Sequence, residues 1–191
     1  TYIGQNKTSE QGQYYVLHLD FSAIPSNDLI RAFNAHLASA FKNFFDRYPI
    51  DGYEQFLSSE HGQPSIFIEE FFDFVKPLVK NRLYLIIDEY DQFANNILAN
   101  DPATFREITR DDGPIKTFYA LIKKYTGSDL VSKIFITGVT TISLDSLTSG
   151  FSIAEDITHR HEFADMFGFT QQELSTLIQE SLKNNDKLPM D

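Results

Sequence analysis

Leu83-Tyr84-Leu85-Ile86-Ile87 runs without a break into Asp88-Glu89. An apolar run of this length reads as a strand buried on both faces, of the kind found inside a parallel sheet. Such a strand excludes charge, so the two acids must stand at its carboxyl end. In open α/β sheets that edge is where ligands bind. This one segment therefore predicts both a fold class and the place where its chemistry is carried.

The rest of the chain alternates between the two periods. Tyr14-Tyr15-Val16-Leu17-His18-Leu19 reads as a strand closed by Asp20-Phe21-Ser22. Ser26 or Asn27 can cap a following helix, in which Leu29, Ile30, Phe33, Leu37, Phe41, Phe44 and Phe45 recur at helical spacing. Residues 49–64 read as a polar connector. Ser65 can cap a second helix with Phe67, Ile68, Phe71, Phe72, Val75, Leu78 and Val79 inside, kinked or ended by Pro77. After the acidic strand, residues 92–113 read as a long loop with a short helix. Pro114 opens a helix that ends near Gly127, and residues 133–137 form a third strand ended by Gly138. Residues 141–165 read as irregular. Thr170 and Glu173 make a capping box for a last helix over 170–184, and Phe169 can staple to Leu174. Strand, helices, strand, helix, strand is the order of an α/β fold: three layers, a mainly parallel sheet, and helices on both faces. One partial domain is expected over residues 1–191, with its core at 14–140.

Composition narrows the function classes. The 191 residues are 42% hydrophobic, with 18 Phe and 9 Tyr, enough for a packed core and not the makeup of a disordered chain. The formal net charge of −11 argues against a broad nucleic-acid face, because phosphate contacts need clustered Lys and Arg. No apolar run reaches the roughly 20 residues of a bilayer span. There is no Cys, which removes disulfides and thiolate metal sites and fits a cytoplasmic protein.

An apolar strand ending in Asp-Glu is the Walker B pattern of P-loop ATPases. In that pattern the Asp holds Mg²⁺ and the Glu polarises the water that attacks the γ-phosphate. Here Asp88 takes the metal position and Glu89 the catalytic one. Thr137, at the end of the third strand, stands where many such enzymes place a sensor for the γ-phosphate or the attacking water. The alternatives are a buried strand followed by an acidic loop, and a strand-end Thr beside a Gly turn. Asp91 is a third acid, read as a solvated loop residue or a helix cap. Asp20 and Ser22, on the same predicted edge, read as structural. His159-x-His161 is the closest histidine pair and a poor zinc site. No Gly-x-x-x-x-Gly-Lys-Ser/Thr occurs in the chain, so the phosphates lack their usual cradle.

Four segments together carry a resemblance. They are Val16-Leu17-His18-Leu19-Asp20-Phe21-Ser22, Leu85-Ile86-Ile87-Asp88-Glu89-Tyr90-Asp91, Phe135-Ile136-Thr137-Gly138-Val139-Thr140 and Phe151-Ser152-Ile153-Ala154-Glu155-Asp156-Ile157-Thr158. A fifth, Phe167-Gly168-Phe169-Thr170-Gln171-Gln172-Glu173-Leu174, enters the last helix. In this order they resemble the bacterial AAA-ATPase-like domain often found ahead of a PD-(D/E)XK nuclease-like domain. The resemblance implies a P-loop fold that binds ATP and Mg²⁺, with Asp88 and Glu89 in the Walker B positions and Thr137 on the sensor strand. It also places the Walker A segment before residue 1, so that the chain is the C-terminal portion of an ATPase domain driving an attached domain or partner. Two rival readings remain: a non-catalytic scaffold module on a degenerate ATPase fold, and a metal-dependent hydrolase using Asp88, Glu89 and Asp91.

Overall fold

The computed structural model describes residues 5–25, 28–80, 82–128, 130–139, 154–164 and 168–185. The chain divides into two compact units, Thr1–Ala154 and Glu155–Asp191.

The first unit is an α/β domain with a three-stranded parallel sheet flanked by helices. Its elements are β1 (Tyr15–Asp20), α1 (Leu29–Arg47), α2 (Tyr53–Ser58), α3 (Pro64–Val79), β2 (Leu83–Asp88), α4 (Gln92–Asn100), α5 (Pro102–Thr109), α6 (Pro114–Thr126) and β3 (Val131–Ile136). The acidic strand β2 lies in the middle, between β1 and β3. Both pairings are parallel, so all three carboxyl ends lie on one edge. Leu17 pairs with Leu85 and Leu19 with Ile87 on one side of β2, and Ile87 pairs with Ile136 on the other.

Burial separates the two sheet faces. Leu17, Leu19, Leu83, Leu85 and Ile87 are fully buried. Of their neighbours on the opposite face, His18 and Asp20 are exposed, and Tyr84, Ile86 and Asp88 are half-buried. β2 is thus dry on one face only, and its unbroken apolar run overstated its burial. The topology explains this. Strand order follows chain order, and successive right-handed crossovers then bring their helices to one face. Among the described residues α1, α3 and α6 pack side by side, with α1 against β1 and α6 against β3.

The helices form where their apolar stripes meet this face. Leu29, Phe33, Leu37, Phe41, Phe44 and Phe45 of α1 are buried, as are Phe67, Ile68, Phe71, Phe72, Val75 and Val79 of α3. Phe41 stacks on Phe71 with ring centroids 4.0 Å apart, locking the two stripes together. Closer to the carboxyl edge, Phe33 meets Phe21, Phe93 and Phe118 at 4.7, 5.5 and 5.0 Å. That cluster joins α1, α4 and α6 directly beneath the strand ends. Burying each such ring contributes about 1.5–3 kcal/mol.

Several boundaries differ from the sequence reading. The third helix starts at Pro64 with Gln63 in the capping position, so Ser65 lies inside it. Pro64 wins because a ring with fixed φ and no N–H suits the first turn. Pro77 sits in the last turn, and the helix ends two residues later at Val79, followed by Lys80 with φ 43°. The connector at 49–64 contains α2, entered through Gly52 at φ 84°. Residues 92–113 hold two helices where a loop with one was expected. Asp101-Pro102 separates them, and the Asp101 side chain accepts the Thr104 N–H at 3.1 Å. Ser26 and Asn27 lie outside the described residues.

In the second unit, a short 3₁₀ turn (His161–Phe163) precedes α7 (Gln171–Asn185). The capping box forms as expected: Thr170 N–H donates to Glu173 at 2.9 Å and Glu173 N–H to Thr170 Oγ1 at 3.3 Å. Hydrogen bonds from Thr170 hold the Glu173 carboxyl below its ordinary range. Phe169 and Leu174 are both exposed. Among the described residues no helix is long and apolar enough to cross a membrane.

Candidate functional site

Asp88 is the last residue of β2, and its backbone carbonyl accepts the Phe21 N–H at 3.0 Å, which extends the β1–β2 ladder to the sheet edge. Thr137 extends the other ladder. Its N–H donates to the Ile87 carbonyl at 2.9 Å and its carbonyl accepts the Tyr90 N–H at 3.1 Å. These bonds carry Thr137 one residue beyond β3 and set it beside the two acids.

The Thr137 hydroxyl donates to Asp88 Oδ1. Thr137 Oγ1 in turn accepts the Glu89 N–H at 3.3 Å. A hydroxyl has one proton to give and lone pairs to accept with, so both capacities are used. Asp88 and Glu89 are half-buried, at the boundary between sheet and solvent. The three residues expected to form the site are therefore brought together.

Glu89 adopts a left-handed backbone conformation, φ 50°. A side-chain-bearing residue pays for this with about 1–3 kcal/mol of strain. The turn is held by the bond from Glu89 N–H to Thr137 and by the Gln92 N–H, which donates to the Glu89 carbonyl at 3.2 Å. Among the described residues the Glu89 carboxylate has no hydrogen-bond partner, whereas Asp88 is fixed by Thr137. The two adjacent acids are thus held differently: Asp88 is tethered by Thr137 and Glu89 is not.

Asp20 pairs in register with Asp88. Its carboxylate accepts the Ser22 N–H at 2.9 Å, and that bond holds its pKa below the ordinary carboxylate range. Asp20 thus closes its own turn.

Asp91 departs from its reading as a solvated acid. It occupies the N-cap position of α4 without a side-chain capping bond, and it is 0% exposed. Asp91 Oδ1 accepts the Val139 N–H at 3.1 Å and Oδ2 accepts from Asn95 Nδ2 at 2.9 Å. Gly138 lies against it: a Cβ there would come within 2.8 Å of Asp91 Oδ1 and would collide with the Tyr90 ring. The sequence offered one signal for this, a glycine directly after the third strand, where backbone must pass close to something.

Among the described residues no three His, Cys, Asp or Glu side chains converge. A Mg²⁺ ion held mainly by water and substrate phosphates needs only one or two protein carboxylates, and Asp88 could supply one. A hydrolase holding its metal with Asp88, Glu89 and Asp91 is ruled against by the burial of Asp91. His159 and His161 are exposed and belong to no such cluster.

Sequence comparison adds an independent finding. The model of a family described as predicted AAA-ATPase matches residues 1–148. The chain belongs to the predicted AAA-ATPase family. No curated protein and no solved structure matches it. The matched stretch contains the whole sheet and Asp88, Glu89 and Thr137, so family membership and site geometry concern the same part of the chain.

Proposed function

We propose that this domain is the Walker B and sensor half of an ATP-hydrolysing site. The observation that carries the reading is the pair of unlike acids at the end of the central strand. Asp88 is tethered to Thr137, and Glu89 is held in a strained turn with its carboxylate unpartnered among the described residues. Asp88 would hold Mg²⁺ through water, and Glu89 would orient and polarise the attacking water. The Thr137 hydroxyl would report the state of the γ-phosphate to both. Bound ATP·Mg²⁺ supplies the reactive phosphoryl group and the charge neutralisation.

The phosphate cradle has no counterpart in these 191 residues, which contain no Gly-x-x-x-x-Gly-Lys-Ser/Thr. Ligand crevices of open α/β sheets form where strand order reverses, and among the described residues the order β1-β2-β3 does not reverse. In this reading a phosphate cradle of another kind or from another segment would complete the site over Asp88 and Thr137. Turnover would then drive a conformational change in an attached domain or partner, a nuclease-like domain being the one the resemblance implies.

A scaffold function on the same fold is the second reading. Strained Glu89 argues against it, because a turn without a task is better built on Gly. Mg²⁺-dependent ATP hydrolysis by the full-length protein decides between them. Release of phosphate that stops on removal of Mg²⁺ is the expected result; no release under any condition supports the scaffold.

A further inference from the structure

We propose that Asp91 is a positioning residue for this site: its buried carboxylate latches the 137–139 turn onto the 88–91 turn and so sets where Thr137 and Glu89 stand. The catalytic part of this inference rests on the ATPase reading above; the latch itself does not.

Asp91 is the charged side chain found in the buried set among the described residues. Burying a carboxylate is unfavourable unless its oxygens are hydrogen-bonded. Its two oxygens meet that need in different directions. One accepts the Val139 N–H at 3.1 Å, just past the sensor strand, and the other accepts from Asn95 Nδ2 at 2.9 Å, one turn along α4. The carboxylate therefore joins the helix that follows the acids to the turn that follows Thr137.

The neighbouring bonds show what the latch holds. Asp88 accepts the Thr137 hydroxyl, Glu89 N–H donates to Thr137 Oγ1, and Tyr90 N–H donates to the Thr137 carbonyl. With Asp91 on Val139, each residue from 88 to 91 is joined to 137–139. Tyr119 of α6 donates its hydroxyl to the Tyr90 carbonyl at 3.1 Å and backs the turn from beneath. Gly138 completes the fit, since a Cβ would meet Asp91 Oδ1 and the Tyr90 ring. The left-handed backbone of Glu89 lies inside this set of bonds and is held by it. A buried acid with no exposed surface cannot itself meet a nucleotide or a metal, so it acts through Thr137 and Glu89.

Asp91→Ala and Asp91→Asn separate the possibilities in the full-length protein. Asn keeps the size and an oxygen for Val139 N–H, and Asn95 can turn its amide to match. Ala removes the acceptor of both bonds. The expected result is a kcat loss of about 10²-fold in Asp91→Ala with KM for ATP nearly unchanged, and recovery of most of the activity in Asp91→Asn. Amide exchange is read in parallel, without nucleotide: Val139 and Glu89 should lose protection in Ala and keep it in Asn. If Ala does not fold, Asp91→Ser replaces it, because its short hydroxyl cannot serve both donors. Unchanged exchange at Val139 and Glu89 overturns the latch. Altered exchange with unchanged kcat, or a change confined to KM, overturns its role in positioning. A wild-type protein that hydrolyses nothing removes the ATPase reading while the exchange result still decides the latch.

Discussion

The Thr137 hydroxyl donates to the Asp88 carboxylate across the β2–β3 boundary. Because it also accepts the Glu89 N–H, one side chain fixes both acids at the end of the central strand. Thr137→Val keeps the shape and removes both bonds. It should cost about 1 kcal/mol of stability and lower ATP turnover by roughly 10–10²-fold, the range for a misplaced positioning group. Thr137→Ser keeps the hydroxyl and should stay near wild type. Hydrolysis rates and urea unfolding of both variants check this; equal rates in Val and Ser mean that the hydroxyl has no part in turnover.

A second prediction concerns pH and the packing of α3 on α6. The Tyr125 hydroxyl donates to Asp73 at 3.0 Å. Burial, then the bond to Asp73, pushes the Tyr125 pKa from 10.0 up to about 12. A folded-state value above the unfolded one means that the folded protein holds the proton more tightly. The resulting stability is full below the unfolded value and is lost as pH rises through the folded one, at most roughly 2–3 kcal/mol. Tyr125→Phe removes both the bond and the titration. Urea midpoints of the two proteins should differ at neutral pH, and the gap should close between about pH 10 and pH 12. A gap that stays constant across that window means Tyr125 is not proton-linked to folding.

How much of this was legible in the sequence varies with the kind of signal. The central place of β2 and the shared edge of Asp88, Glu89 and Thr137 follow from hydrophobic runs interrupted by charge, and such runs depend on burial alone. The capping box at Thr170–Glu173 is equally local and formed as expected. At 92–109 one short helix was expected and two formed, because their apolar residues, Phe93, Ala94, Ile97 and Ile108, are spread over two short stretches. Neither stretch is long enough to show a period, and Asp101-Pro102 was the better signal. One-sided cover of β2 was missed because Tyr84 and Ile86 are apolar without being fully buried. Asp91 was misread for another reason: an acid after a strand is solvated unless tertiary partners such as Val139 and Asn95 enclose it, and sequence spacing does not show them.

Residues 1–191 alone should bind ATP weakly or not at all. Without a Gly-rich loop and its Lys, the β- and γ-phosphates lack their main donors. Titration calorimetry of this segment with ATP and Mg²⁺ should give no micromolar affinity. Tight binding would mean that these residues contain a phosphate site built in some other way.

In the full-length protein, Glu89→Gln should abolish turnover and keep ATP bound, whereas Asp88→Asn should weaken Mg²⁺-dependent binding as well. The two acids sit side by side but are held differently. Glu89 projects from a left-handed turn with a carboxylate that has no partner among the described residues; in the proposed site its task would fall in the transition state. Loss of a group that acts there lowers kcat with little change in affinity. A water-activating group is worth roughly 10²–10⁴-fold, an effect easily measured. Asp88, tethered by Thr137, would act on the metal that bridges the phosphates and so contribute to the ground state too. Asp88→Asn also turns a pure acceptor into a group with N–H donors, which can disturb the Thr137 contact. Steady-state hydrolysis and nucleotide binding of both variants decide the assignment. A Glu89→Gln protein that hydrolyses ATP at the wild-type rate would take the catalytic role away from Glu89 and favour the scaffold.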